Sequence, residues 1–154
     1  MKIIVTGAIG HIGSYIIRDL GAFFPASNIV MIDNMMTQRF PSLFNLPLNV
    51  NYSFIEGDVN QMNLRQIFFG ANVVIHLAAI TYVAHSNVEE IYNTNIVGTK
   101  NILEAFKNLD VNDKHFIFAS TANVYKPTDT VINESSAIKP VNDYAISTKP
   151  RIKR

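Results

Sequence analysis

Three glycines spaced three apart, in TGAIGHIG (residues 6–13), constrain this chain more than any other feature. They follow a β-rich apolar run, KIIVTGA (2–8). They open a segment in which Ile12, Ile16, Ile17 and Leu20 fall on one face of a helix. A strand that passes into a helix within so few residues needs positions without a Cβ. The helix that begins there turns unpaired N–H groups and the positive end of its dipole toward the space above the turn. A phosphate is the chemistry such an end accepts.

The rest of the chain alternates in the same way. NIVMID (28–33), NYSFIEGD (51–58), NVVIHLAA (72–79) and KHFIFAS (114–120) read as four further strands. QMNLRQIFF (61–69) reads as a short helix that Gly70 can end. VEEIYNTNIVGTKNILEAFKNL (88–109) reads as one long helix with Ile91, Asn95, Gly98, Ile102, Ala105 and Leu109 along one side. The strands are continuous apolar runs, which predicts burial on both faces and parallel pairing. Strand–helix alternation with right-handed crossovers then predicts an α/β fold, a Rossmann-like doubly wound sheet in the order 3-2-1-4-5. The glycine turn should lie at the C-terminal edge, beside the switch between strands one and four. MMTQRFPSLFNLPLN (35–49) contains two prolines and reads as an irregular, functional insertion.

Composition narrows the class. At 154 residues, 48% hydrophobic and 16% charged, the chain fits one globular domain. With no cysteine there is no disulfide and no thiolate metal site, and the four histidines (11, 76, 85, 115) lack metal-ligand spacing. No apolar run has membrane-spanning length and the first residues lack a signal peptide's apolar core, so a cytoplasmic protein without a membrane partner is expected. The net charge is +1, but Lys149, Arg151, Lys153 and Arg154 supply four positive charges near the end, leaving −3 on the remainder. No nucleic-acid partner is expected for such a body.

Asp33 ends the second strand, twenty residues past Gly13. An acidic side chain there accepts hydrogen bonds from an adenosine ribose, so the turn and Asp33 together predict a dinucleotide site. Asp33 would repel a 2′-phosphate, which favours NAD over NADP. A bulky residue at Gly7 is expected to block the pyrophosphate while leaving the fold mostly intact.

The GxxGxxG spacing resembles the short-chain dehydrogenase/reductase superfamily. TGAIGHIG, the pair Asp33–Asn34, GDV (57–59), HLAA (76–79), NIVGT (95–99), FASTANVY (118–125) and Tyr144 resemble its extended branch, in the same order. That branch comprises the NAD-dependent epimerases and dehydratases of nucleotide sugars. The resemblance implies NAD as cofactor, a nucleotide sugar as substrate, and cofactor contacts from Gly7, Ile9, Gly10, His11, Ile12, Gly13, Asp33 and Asn34. For His11 the other reading is that it only tolerates the turn. The resemblance further implies that Asp58 and Val59 hold the adenine. It places Leu77, Ala78, Ala79 and Thr81 along the nicotinamide side, and makes Asn95 a brace from the long helix. His76 reads as a buried, satisfied histidine. His85 and Ser86 either touch substrate or sit on a solvated loop.

The family's catalytic groups are a Ser or Thr, a Tyr and a Lys, which are matched here by Thr121, Tyr144 and, out of place, Lys149. A phenol ionises near pH 10 and needs a neighbouring cation to act as a base at neutral pH. The family places that lysine four residues after the tyrosine, where this chain has Thr148. On a helix, i+4 lies about 40° around the axis from i, and i+5 about 140°. Lys149 should therefore point away, and Pro150 pushes it out of helical geometry. The family's dehydratases carry Asp-Glu after the threonine; Ala122-Asn123 here implies chemistry closer to a UDP-sugar 4-epimerase. The resemblance covers the family's N-terminal part only, without its sixth strand and C-terminal substrate lobe. Residues 1–148 are thus expected to form an NAD-binding domain and 149–154 a mobile basic tail that reads like a substituted end. A non-catalytic NAD-binding module is the alternative function. The strand at 115–120 is expected to form the sheet edge, inviting a homodimer or other self-association.

Overall fold

The computed structural model describes residues 1–81 and 87–149. Five strands, β1 (Lys2–Thr6), β2 (Asn28–Asp33), β3 (Asn51–Glu56), β4 (Val73–His76) and β5 (His115–Phe118), form one sheet in the order β3-β2-β1-β4-β5. Every pairing is parallel. β1 is central, with Thr6 opposite both Ile32 and His76, so three strand ends meet beside the glycine turn. The expected order and switch point are both present.

The period-two alternation of strand side chains divides the core. Ile4, Val30, Ile32 and Val74 face α2 (Leu64–Phe68) and α4 (Thr99–Lys107), packing with Phe68 and Ile102. Ile3, Val5, Ile29, Met31 and Ile75 face the other way, toward Ile17 of α1 (His11–Phe23). Full burial of one side chain such as Phe68 contributes about 1.5–3 kcal/mol.

Burial on both faces holds for β1, β2 and β4 but not for the outer strands. β3 and β5 are only half-buried along their length, because each has a neighbour on one side only. Ile117 of β5 is 51% exposed and, with Val73, Leu20, Phe24 and Met1, lines an open apolar groove.

Two other expectations are corrected in detail. The strand expected over 72–79 ends at His76: Leu77 N–H still donates to Thr6 O at 3.0 Å, and the backbone then crosses Gly7. The long helix over 88–109 is three segments. α3 (Val88–Tyr92) begins at a reciprocal Asn87–Glu90 capping box, a π-helical segment spans Asn93–Gly98, and α4 follows. The Thr99 hydroxyl donates to the carbonyl of Asn95 at 2.7 Å within the widened turn. The irregular loop contains one 3-10 turn, Phe40–Leu43, and positive φ at Met35, Gln38 and Asn45. A second 3-10 turn spans Ala122–Val124, and α5 (Asp143–Ser147) lies within the short window that Pro150 leaves to it.

Candidate functional site

The turn after β1 is packed more tightly than a phosphate-approach argument requires. Gly7 has φ +67°, and a Cβ there would lie 2.6 Å from Ala78 N and 2.7 Å from the Leu77 carbonyl carbon. A Cβ on Gly13 would lie 2.3 Å from the Gly7 carbonyl oxygen. Gly10 is less confined, with its nearest neighbour at 3.1 Å. Gly7 and Gly13 are therefore demanded by the fold itself. The expectation that a bulky residue at Gly7 spares the fold does not hold, because it would push the 77–78 backbone off the turn.

Gly10 caps α1 without a side chain. The N–H groups of His11, Ile12 and Gly13 have no backbone or side-chain acceptor among the described residues. Asp33 is placed beside them. Its Oδ2 accepts from Ile9 N–H at 3.2 Å and its Oδ1 from Met35 N–H at 3.0 Å. Burial raises the Asp33 carboxyl pKa, and the bonds from Met35 and Ile9 partly offset that. Two ionised oxygens offer about four acceptor positions, so two remain for a ligand.

A cleft runs past this end of the sheet. Of the sequence-predicted residues it is lined by Gly7, Gly10, Asp33, Asn34, Asp58, Val59, Leu77, Ala78 and Ala79. Met36, Thr37, Ile80 and Thr94 also line it and were not anticipated. Met36 and Thr37 lie in the loop already marked as an insertion; nothing in the spacing singles out Thr94. Ile9 is fully buried under the turn and acts through its N–H on Asp33. The side chains of His11 and Ile12 are exposed and do not line the cleft; His11 stacks toward Tyr15. Thr81 is exposed outside the lining. His85 and Ser86 lie outside the described residues.

Behind the cleft, Asn95 is buried. Its Oδ1 accepts from Ile80 N–H at 2.7 Å, and its Nδ2 donates to Ile80 O at 3.0 Å and to Ser147 Oγ at 2.9 Å. Asn95 thus ties the Ile80 backbone to α5. His76, 1% exposed, sits between Thr6 Oγ1 at 2.7 Å and Thr99 Oγ1 at 2.8 Å, a satisfied core histidine whose burial lowers its pKa to about 4.

Thr121 and Tyr144 lie on neighbouring elements, the second 3-10 turn and α5, and Lys149 lies apart from the cleft. Thr121 caps the second 3-10 turn, its hydroxyl accepting from Asn123 N–H at 3.2 Å. Tyr144 is half-buried on α5. Thr148, only 3% exposed, lines a small cavity with Leu77, Ala78 and Ala79. Lys149 is exposed and lines a different groove, beside Lys100, Leu103 and Phe116. Helical phase explains the difference, since i+4 from Tyr144 turns toward the cleft and i+5 turns away.

Residues 4–149 match the model of the GDP-mannose 4,6 dehydratase family. The chain belongs to this family. Members of known activity include the dTDP-D-glucose 4,6-dehydratase of Dictyostelium discoideum, 32% identical over 95% of this chain and 37% of the enzyme. The UDP-glucose 4-epimerase of Streptomyces lividans is 31% identical over 95% of this chain and 44% of its own length. A solved UDP-glucuronic acid 4-epimerase from Bacillus cereus, in complex with UDP-glucuronic acid and NAD, superposes with a TM-score of 0.85. Its identity is 31%, covering 96% of this chain and 49% of the enzyme. The chain thus spans about half, or less, of the length of these family members.

Proposed function

We propose that the cleft at the C-terminal ends of β1, β2 and β4 binds NAD, and that the chain is the cofactor-binding part of a nucleotide-sugar 4-epimerase. The observation that carries this reading is the start of α1, with three N–H groups free among the described residues beside the buried carboxylate of Asp33. The residues fit the cofactor. The amides of His11, Ile12 and Gly13 suit its diphosphate, Asp33 its adenosine ribose, Asp58 and Val59 its adenine, and Leu77 to Ala79 its nicotinamide side. When bound, NAD supplies a hydride acceptor for a sugar carbinol. In that role Thr121 would orient the sugar oxygen and Tyr144 would carry its proton. Ala122-Asn123, in place of an acidic pair, favours epimerisation over dehydration.

A second reading, NAD binding without turnover by this chain, is favoured by Thr148. It occupies the helical position from which the family's lysine serves the tyrosine, while Lys149 lies in another groove. Residues 1–148 form the cofactor domain in either reading, with 149–154 as a basic tail of which 150–154 lie outside the described residues. Among the described residues no helix is long and apolar enough to cross a membrane. A cytoplasmic location and a β5-mediated self-association complete the proposal.

Calorimetric titration with NAD and NADP, run beside a turnover assay with UDP-glucose and UDP-glucuronic acid, tests both readings. NAD binding with epimerised product supports the first, and binding with no product supports the second. No binding of either cofactor defeats both.

A further inference from the structure

The hydrogen-bond directions around His76 can be read from chemistry alone. The Thr99 hydroxyl donates to Asn95 O, which can only accept, so Thr99 Oγ1 must accept from His76 Nε2. Among the described residues the buried Thr6 hydroxyl has no other acceptor, so it donates to a bare Nδ1, and His76 is the neutral Nε2–H tautomer. Thr6 Oγ1 in turn accepts from Ala78 N–H at 3.4 Å. The chain of bonds continues through Asn95, whose side chain holds both backbone groups of Ile80 and the Ser147 hydroxyl. Ser147 Oγ donates to Tyr144 O at 2.8 Å. One directed network thus runs from the end of β1 to α5. It touches the cleft-lining segment twice, at Ala78 and at Ile80.

We infer that His76, through Thr99 and Asn95, is a positioning residue that couples occupancy of the cofactor cleft to the placement of α5 and Tyr144. This rests on the NAD reading above. A ligand packed against residues 77–80 limits the freedom of that segment. The segment cannot shift alone, because leaving a buried donor or acceptor unpaired costs about 1–3 kcal/mol. It moves with Asn95, and Asn95 holds α5 through Ser147. His76 fixes the carbonyl end of that arrangement from the opposite side. The π-helical turn gives Asn95 the position from which its carbonyl and side chain serve opposite ends, a local device often found at functional sites.

The test is amide hydrogen exchange at Ile146 and Thr148 of the full chain, with and without saturating NAD, together with ¹⁵N NMR of the histidines. In the unmodified chain NAD should slow exchange at these two amides about tenfold, by ordering α5. His76→Phe fills the space but makes neither hydrogen bond; Thr99→Val is a milder change that breaks only the Thr99 links. Both should still bind NAD by calorimetry, with the slowing reduced to less than about twofold. The spectrum should show His76 protonated on Nε2 and bare on Nδ1. Full slowing retained in both variants, or an Nδ1-protonated His76, overturns the inference. NAD binding without slowing in the unmodified chain overturns the coupling alone, and no NAD binding at all overturns the cofactor reading and the coupling with it.

Discussion

The Thr148 hydroxyl donates to the carbonyl oxygen of Tyr144 at 2.8 Å, one turn back along α5. That bond keeps Thr148 turned inward, in a cavity shared with Leu77 to Ala79. In the proposed NAD reading an ammonium placed there would face the nicotinamide side of the cleft, whereas Lys149 lines another groove. Thr148→Lys is therefore expected to tighten NAD about threefold by calorimetry, a charged hydrogen bond gained against the desolvation of a buried lysine. Thr148→Met, of similar bulk without charge, should not, and Lys149→Ala should leave affinity unchanged. Equal effects of the lysine and methionine variants would show that position 148 does not face the cofactor.

The glycines should separate by role. Gly13→Ala forces a Cβ into the Gly7 and Ala8 carbonyls and should destabilise the fold by about 3 kcal/mol or more, read as a fall in the urea midpoint. Gly10→Val meets only the Gly7 carbonyl, at 3.1 Å, and should lower NAD affinity at least tenfold with a much smaller loss of stability. The reverse ranking would place the phosphate elsewhere.

Asp33 should set both cofactor choice and acid sensitivity. Asp33→Ala removes a ribose acceptor and a charge repelled by a 2′-phosphate, so NAD should weaken more than NADP in parallel titrations. Burial raises the Asp33 carboxyl pKa. Its ionised, accepting form is therefore lost at a higher pH than for an ordinary carboxylate, and NAD affinity should begin to fall above the usual carboxylate range as the solution is acidified. The sign for stability is opposite. A folded pKa above the unfolded one makes the ionised carboxyl a cost, so this group's contribution declines as pH rises through that window.

His76 gives a separate acid signature. Its pKa is about 4 in the folded chain, from burial, against about 6.5 unfolded. Between those values the unfolded chain binds the extra proton, so stability should fall by about 3 kcal/mol as pH drops from 6.5 to 4 and level off below. Urea denaturation at a series of pH values reads this directly. His76→Phe should flatten that part of the curve; an unchanged slope would assign it to other groups.

Ile117 is the largest exposed apolar side chain of the outer strand β5. The proposed self-association through β5 predicts that Ile117→Lys shifts sedimentation toward the monomer relative to the unmodified chain, since charge on an edge strand opposes edge pairing. Identical sedimentation of the two chains would remove β5 from the interface.

The sheet was legible because strand burial and glycine punctuation are local signals. KIIVT and NIVMID are buried at every position after the first and could be read as central strands. HFIF looks equally apolar in one dimension, and its half-uncovered state follows from its expected place at the end of the strand order. Of the site, Asp33 and the turn follow from spacing. The displacement of Lys149 follows from helical phase. The bond from Asn95 to Ser147 joins residues 52 apart and leaves no periodic trace, and the π turn that serves it looks like ordinary helix in sequence. Gly7 was recognised for one reason and is held by another, since its closest neighbours come from a segment seventy residues away.

The six residues Asn93–Gly98 also bear on how this helix tolerates insertion and deletion. A π turn carries one residue more than the α turn it replaces. Deleting a single residue there would close the segment into ordinary α-helix and leave its two flanks in nearly the same phase, since either turn completes one revolution. Ile91 would keep its buried place, while Asn95 would no longer address Ile80 and Ser147 together. The segment therefore holds an extra residue for the sake of one side chain rather than for the helices it joins. Loss of that residue should therefore leave the fold intact and release α5 from Asn95.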